Sequence, residues 1–300
     1  MRKSSKRVLF AAMAGIMLIM AGCGNTNTGT GATPTATPTP SQSASPSATP
    51  TPDATKELSG KILLEGSTSM QKIMQEMADT FMAKNLKVTI DPIFDGSGPG
   101  IKAAAEGNAD IGMASRNVKD EEKVEGLTSI QVAWDAIAIV INPDNGVTEL
   151  TAEQIAKIYT KEITNWKDVG GPDAQIVVVA RDAASGTREA FEGLFKVAEK
   201  VVADQEAAST GEVKTFVSQN PNAIGYISLT FVDSNVKALT VDGMVPSEEN
   251  VANGSYTLKR PFNIVYKGTP NEISSAFIDF IFSEEGKAII AKEALPVDRQ

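Results

Sequence analysis

Three short stretches combine glycine with hydroxyl side chains in the way an anion site requires: Gly66-Ser67-Thr68-Ser69, Gly96-Ser97-Gly98-Pro99-Gly100 and Ser185-Gly186-Thr187. Each follows an apolar run and precedes a segment with helical periodicity, so each predicts a helix N-terminus. There the free backbone N–H groups and the positive end of the helix dipole favour negative charge. Glycine lets the backbone approach a ligand closely, and Ser or Thr hydroxyls add neutral donors. Arg181, four residues before Ser185, offers a planar fork of N–H donors. One such turn is an ordinary helix cap. Three of them, one with an arginine at its base, point to a small oxyanion held beyond the carboxyl ends of strands in an open α/β sheet.

Other chemistries fit poorly. The chain has no histidine, which removes Ser-His-Asp catalysis and most zinc sites. Ser69-Met70-Gln71-Lys72 matches the S-x-x-K element of penicillin-recognising enzymes, yet neither S-D-N nor K-T-G occurs. A serine acyl-transfer enzyme therefore ranks below a binding protein. The Gly96-x-Gly98-x-Gly100 spacing is not that of a dinucleotide site, and no G-x-x-x-x-G-K is present. No enzyme activity, cofactor or metal is expected.

The elements that must position these turns alternate as β and α. Lys61 to Glu65 predicts a strand, and Met70, Ile73, Met74, Met77 and Phe81 recur at helical spacing. A strand over 87–94, a helix over 101–106 and a strand over 110–114 follow. The β-branched run Val132 to Ile141 predicts a buried strand, Thr151 caps a helix to Tyr159, and 176–180 and 186–195 predict a strand and a helix. Further on come a helix at 213–218, strands at 223–227 and 262–266, and one amphipathic helix from Glu272 to Ala291. Trp134 and Trp166 read as packing anchors, since a small oxyanion presents no apolar face.

The N-terminus lies outside this pattern. Arg2, Lys3, Lys6 and Arg7 precede the apolar run Val8 to Met20, too short for a membrane span and laid out as a secretory signal over residues 1–22. Met20-Ala21-Gly22-Cys23 resembles the lipobox of bacterial lipoproteins, which implies diacylglycerol on Cys23, the only cysteine. Residues 23–57 are rich in Thr, Pro and Ser and predict a disordered, semi-stiff tether. Removal of the signal leaves 24 Lys and Arg against 37 Asp and Glu, a formal charge of −13, so nucleic acid is excluded as a partner. Screening over about 8 Å at physiological salt still permits contact donors to hold an anion.

In order and spacing the motifs resemble the phosphate-binding proteins of high-affinity phosphate ABC transporters. They are Gly66-Ser67-Thr68-Ser69-Met70; Gly96-Ser97-Gly98; Ala109-Asp110-Ile111-Gly112 with Ser115-Arg116; Ile163-Thr164-Asn165-Trp166; Arg181-x3-Ser185-Gly186-Thr187-Arg188; and Ala223-Ile224-Gly225-Tyr226-Ile227-Ser228. The resemblance implies an α/β, two-lobed, type II periplasmic-binding-protein-like fold, each lobe a mixed sheet flanked by helices, with the ligand in the interlobe cleft. Lobe 1 is expected over 58–135 and 236–300, and lobe 2 over 136–235. The phosphate-binding residues it implies are Thr68, Ser69, Ser97, Ser115, Arg181, Ser185, Gly186 and Thr187. Some relatives carry an aspartate where this chain has Ser115, and Asp95 or Asp182 is then a candidate acceptor for the ligand's proton. Arg116 either lines the site or ties a loop. The implied protein is a lipid-anchored monomer on the outer face of the cell membrane that passes inorganic phosphate to permease subunits; sulfate or molybdate is the rival ligand.

Overall fold

The computed structural model describes residues 57–299; the signal segment, Cys23 and the Thr/Pro/Ser-rich stretch through residue 56 lie outside the described residues. The chain begins with β1 (Ser59–Ile62), β2 (Leu64–Gly66), α1 (Gln71–Lys84), β3 (Lys87–Ile90), β4 (Ile93–Phe94), α2 (Ser97–Glu106) and β5 (Ile111–Ala114). The long β6 (Leu127–Ile141) leads to β7 (Glu149–Leu150), α3 (Ala152–Tyr159), β8 (Val177–Arg181), α4 (Gly186–Phe195), β9 (Gln205–Ala207), α5 (Thr210–Gln219) and β10 (Ala223–Ser228). After β11 (Lys237–Ala238), β12 (Thr240–Val241) and α6 (Glu248–Ala252), β13 (Lys259–Lys267) returns the chain to α7 (Glu272–Ile281), α8 (Glu284–Ile290) and β14 (Leu295–Pro296).

The strand order β4-β2-β5-β13-β6-β10-β8-β9 contains both halves of the molecule. β2 runs parallel to β4 and β5, and β8 runs parallel to β9 and β10. The two groups meet at β6, which changes partner along its length: Leu127 to Ala136 pair antiparallel with β13, and Ile137 to Ile141 with β10. Its apolar second half, Ala136 to Ile141, is buried throughout and suits a strand covered on both faces. One hydrophobic core gathers Met74, Met77, Phe81, Phe262, Phe277 and Ile281; a second gathers Ile137, Ile139, Tyr159, Trp166, Phe191 and Tyr226. Trp166 is fully buried there and donates from Nε1 to the Asn222 carbonyl at 3.0 Å. Two cores strung on one shared strand make a two-lobed α/β fold.

Local differences from the sequence pattern have local causes. The expected strand over 61–65 is two, because Leu63 donates its N–H to Asp110 Oδ2 at 2.8 Å and leaves the ladder. The strand over 87–94 breaks at Asp91-Pro92, where proline has no N–H to donate. The single helix expected from Glu272 to Ala291 is α7 and α8. Ser283 ends the first by donating to the Phe280 carbonyl at 2.6 Å and caps the second by accepting from Gly286 N–H at 3.1 Å. Residues expected to rejoin the first lobe from 236 onward behave otherwise: Leu239, Val241, Val251, Tyr256 and Leu258 pack into the second core. The chain returns only where β13 begins, since its pairing with β6 starts at Lys259.

Candidate anion site between the lobes

Each hydroxyl turn is shaped by a backbone requirement. Gly66 has φ +145°, and a Cβ there would lie 2.1 Å from the Met113 carbonyl oxygen, so only glycine lets the first turn fold back on β5. Gly66 O accepts the N–H groups of Asp95 and Gly96, each at 2.9 Å, which fastens the second turn to the first. Gly96, with φ +124°, then turns the chain into α2 and sets Ser97 in its first turn. Ser97 Oγ accepts the N–H of Ser115 at 2.9 Å and lies 3.1 Å from Ser115 Oγ. In the other lobe Ser185 caps α4, accepting from Arg188 N–H at 3.2 Å, and places Gly186 and Thr187 at the helix start.

The lobes meet at these turns. Ser69 Oγ lies 2.9 Å from Thr187 Oγ1 and 2.9 Å from Thr210 Oγ1, while Thr68 Oγ1 lies 3.2 Å from Thr210 Oγ1. Gly98 N–H donates to the Ala184 carbonyl at 3.1 Å. Gly186 rests so close to Ser97 and Ser115 that an added Cβ would meet their hydroxyl oxygens at 2.3 and 2.9 Å. Thr68, Ser69, Ser97, Ser115, Ser185, Gly186 and Thr187 are thus all buried around the same contact. Ser69 is the residue of the S-x-x-K element; its partner Lys72 turns away to the Thr230 carbonyl, to Glu293 at 3.6 Å and over the Phe231 ring. Ser69 and Lys72 form no nucleophile–base pair.

Arg181 ends β8 and is 1% exposed. Its N–H groups reach the Ala207 carbonyl from Nε at 3.1 Å, the Ala208 carbonyl from Nη2 at 2.8 Å and Thr210 Oγ1 from Nη1 at 3.3 Å. Its backbone N–H donates to Tyr226 Oη at 2.9 Å, and the Tyr226 ring stacks on Phe191 at 4.1 Å, so the aromatic core holds the end of the strand. No carboxylate of the described residues forms an ion pair with Arg181. Burial lowers its pKa to about 10, against the pull of Asp182. A buried guanidinium ringed by buried hydroxyls is costly in a resting protein.

Four residues that sequence reasoning missed belong here. Thr210 opens α5, is fully buried, and touches Thr68, Ser69 and Arg181. Its signal was legible, since Ser209-Thr210-Gly211 repeats the hydroxyl–glycine helix start. The preceding strand β9 is too short and polar to read as one. Asp135 and Arg260 form a buried ion pair, with Nε and Nη2 on Asp135 Oδ2 at 3.0 and 2.9 Å, and Ser228 donates to Asp135 Oδ1 at 2.8 Å. The signal for Asp135 was a lone carboxylate inside an apolar run.

Arg116 ties a loop. Its Nη1 and Nη2 bind Glu122 at 2.6 and 2.5 Å, and its Nε reaches Glu189 across the cleft at 2.9 Å. Lys119 also reaches Glu189, at 2.9 Å. Asp182 is not ion-paired with Arg181, and its Oδ1 is buried without a partner. Asp95 is exposed beside Glu65; burial raises both pKa values, and Asp95's charge raises that of Glu65 further.

Two lobes on a shared strand, closing four hydroxyl-rich helix starts and an unpaired arginine, define a substrate-binding protein of the clamshell kind. The sequence profile of the PBP superfamily domain matches residues 35–285. The phosphate-binding protein PstS of Bacillus subtilis is 32% identical, over 98% of this chain and 95% of its own, and that of Borreliella burgdorferi is 33% identical over 77% and 88%. Among solved structures, a putative phosphate ABC transporter substrate-binding protein from Clostridium perfringens, with bound phosphate, matches at TM-score 0.77 and 45% identity over 80% of this chain and all of its own. An ABC-type phosphate transport receptor from Vibrio cholerae matches at TM-score 0.66 and 37% identity over 79% and 99%. The chain belongs to the PBP superfamily and, within it, to the phosphate-binding protein PstS family.

Proposed function

We propose that the protein captures inorganic phosphate between its lobes and delivers it to the permease subunits of an ABC transporter. The observation that carries this reading is Arg181, buried and without a carboxylate partner among hydroxyls from both lobes. The helix starts supply neutral donors, and the guanidinium supplies the one uncancelled charge. The relatives named above, all with phosphate in their names and one, from Clostridium perfringens, with phosphate bound, support the same ligand. The protein works without catalysis: it closes on the anion by hinge motion and releases it at the membrane. Diacylglycerol on Cys23 holds it, as a monomer, at the outer face of the cell membrane, with the Thr/Pro/Ser-rich stretch as the tether. No helix among the described residues is long and apolar enough to cross a membrane.

The test is calorimetric titration of phosphate-stripped protein with phosphate and with sulfate. Phosphate is expected to bind more tightly; sulfate binding at least as tightly overturns the assignment. Closure itself is open to a second measurement. Glu189 joins the lobes through Arg116 and Lys119, but its side chain is 40% exposed, so the pair adds little in water. Glu189→Gln is expected to weaken phosphate binding about two- to fivefold at low salt, with the difference shrinking as salt rises. An unchanged affinity at low salt would show that the latch contributes nothing to the closed form.

A further inference from the structure

Asp135 and Arg260 are cross-strand partners on β6 and β13, the two strands that pass between the lobes. Both are buried, at 1% and 2% exposure. Burial pushes Asp135 up and Arg260 down; each partner's charge opposes the shift, and Ser228 also donates to the carboxylate. The third arm of Arg260 leaves the pair: Nη1 donates to Thr187 Oγ1 at 2.5 Å. Thr187 Oγ1 in turn contacts Ser69 Oγ, and Ser69 Oγ contacts Thr210 Oγ1, where Arg181 donates. Two guanidinium ions therefore stand at the two ends of one hydroxyl chain. Arg181 has no ion pair; Arg260 has Asp135.

We infer that Asp135 is a specificity-determining residue, which sets the charge of the closed cleft through Arg260 and thereby the anion charge state that the cleft prefers. The inference rests on the reading of the cleft as a phosphate site. With the carboxylate in place only one of the two guanidinium ions on the hydroxyl chain lacks an ion pair, which limits the advantage of a dianion over a monoanion. Without it both lack one, and dianions gain. Sulfate is a dianion at every working pH, whereas phosphate exchanges between its mono- and dianionic forms. A carboxylate that touches no ligand thus restrains sulfate binding from behind the arginine, in a chain that has Ser115 in the ligand shell. The hydrogen bond from Arg260 also fills a lone pair of Thr187 Oγ1, so the Thr187 hydroxyl proton is directed to another acceptor. Burial holds the Tyr226 and Tyr256 hydroxyls far above neutrality, and Arg181, at about 10, stays charged.

Three variants of the full chain test this: Asp135→Asn, Arg260→Gln and the double variant. The readout is the ratio of sulfate to phosphate affinity, and the ratio of phosphate affinities above and below its second ionisation. One buried charge at this range is worth on the order of tenfold. Asp135→Asn is expected to raise both ratios about tenfold, Arg260→Gln to lower both, and the double variant to return them to within about threefold of the parent. The double variant leaves no charge at either position of the pair, so it remains informative if a single variant fails to fold. If the pair is merely structural, all anions weaken together and the ratios stay put; ratios moved less than twofold in the folded variants, or a double variant far from the parent, overturn the inference. A parent protein that binds neither anion sinks the phosphate reading instead.

Discussion

Gly186→Ala is expected to leave the protein folded and to weaken phosphate binding on the order of a hundredfold. Gly186 is the first residue of α4 and its φ is not among the positive ones, so alanine fits the backbone and is the better helix former. What alanine cannot do is close. Its Cβ would lie 2.3 Å from Ser97 Oγ, 2.8 Å from Ser97 Cβ and 2.9 Å from Ser115 Oγ. Those atoms belong to the opposite lobe and are held by the bond from Ser115 N–H to Ser97 Oγ, so they have little room to yield. Overpacking of this kind costs about 1–3 kcal/mol, and here the cost falls on the closed form alone. Melting of the ligand-free variant should match or exceed that of the parent, while titration shows the loss. Small-angle scattering should show no compaction on adding phosphate. Parent-like affinity would mean that the lobes do not meet at Gly186 when the ligand is bound.

The second large effect is at Arg181. Arg181→Ala is expected to lower phosphate affinity at least tenfold and as much as a thousandfold. Truncating one partner of a buried, hydrogen-bonded charge pair costs about 2–5 kcal/mol, and the anion has no other uncancelled cation in contact with the hydroxyl cluster. The ligand-free protein should change much less. The substitution strips the Ala207 and Ala208 carbonyls of a donor, yet it also removes a buried charge that has no counterion until the ligand arrives. Calorimetry for affinity and thermal melting without ligand separate the two consequences. An affinity unchanged within twofold would show that the arginine braces the 207–208 turn and nothing more.

The residues that make these predictions possible were not equally visible in the chain. Arg181 and Gly186 stand in a motif whose residue types announce their chemistry: a strand, an arginine, then a hydroxyl–glycine helix start. Thr210 has the same local signature but follows a strand whose polar side chains hide it. Asp135 and Arg260 lie 125 residues apart, and no local pattern joins them. Their pairing depends on the register of β13 against β6. The break between α7 and α8 was missed because apolar periodicity runs through it, while the decisive event is one serine that serves as both stop and cap.

The sequence by itself determined the βα alternation, three of the four hydroxyl-bearing helix starts and the absence of histidine chemistry. All of these are properties of neighbouring residues. Only the tertiary structure decided which hydroxyls face each other, that Arg181 is left without a carboxylate while Arg260 has one, and that residues 239–258 serve the second lobe. Those outcomes turn on strand register, on burial and on the closeness of two lobes, which bring together atoms that the chain keeps far apart. The proposed phosphate site is where the two kinds of information meet: local sequence supplies the donors, and the fold leaves among them one guanidinium without an ion pair.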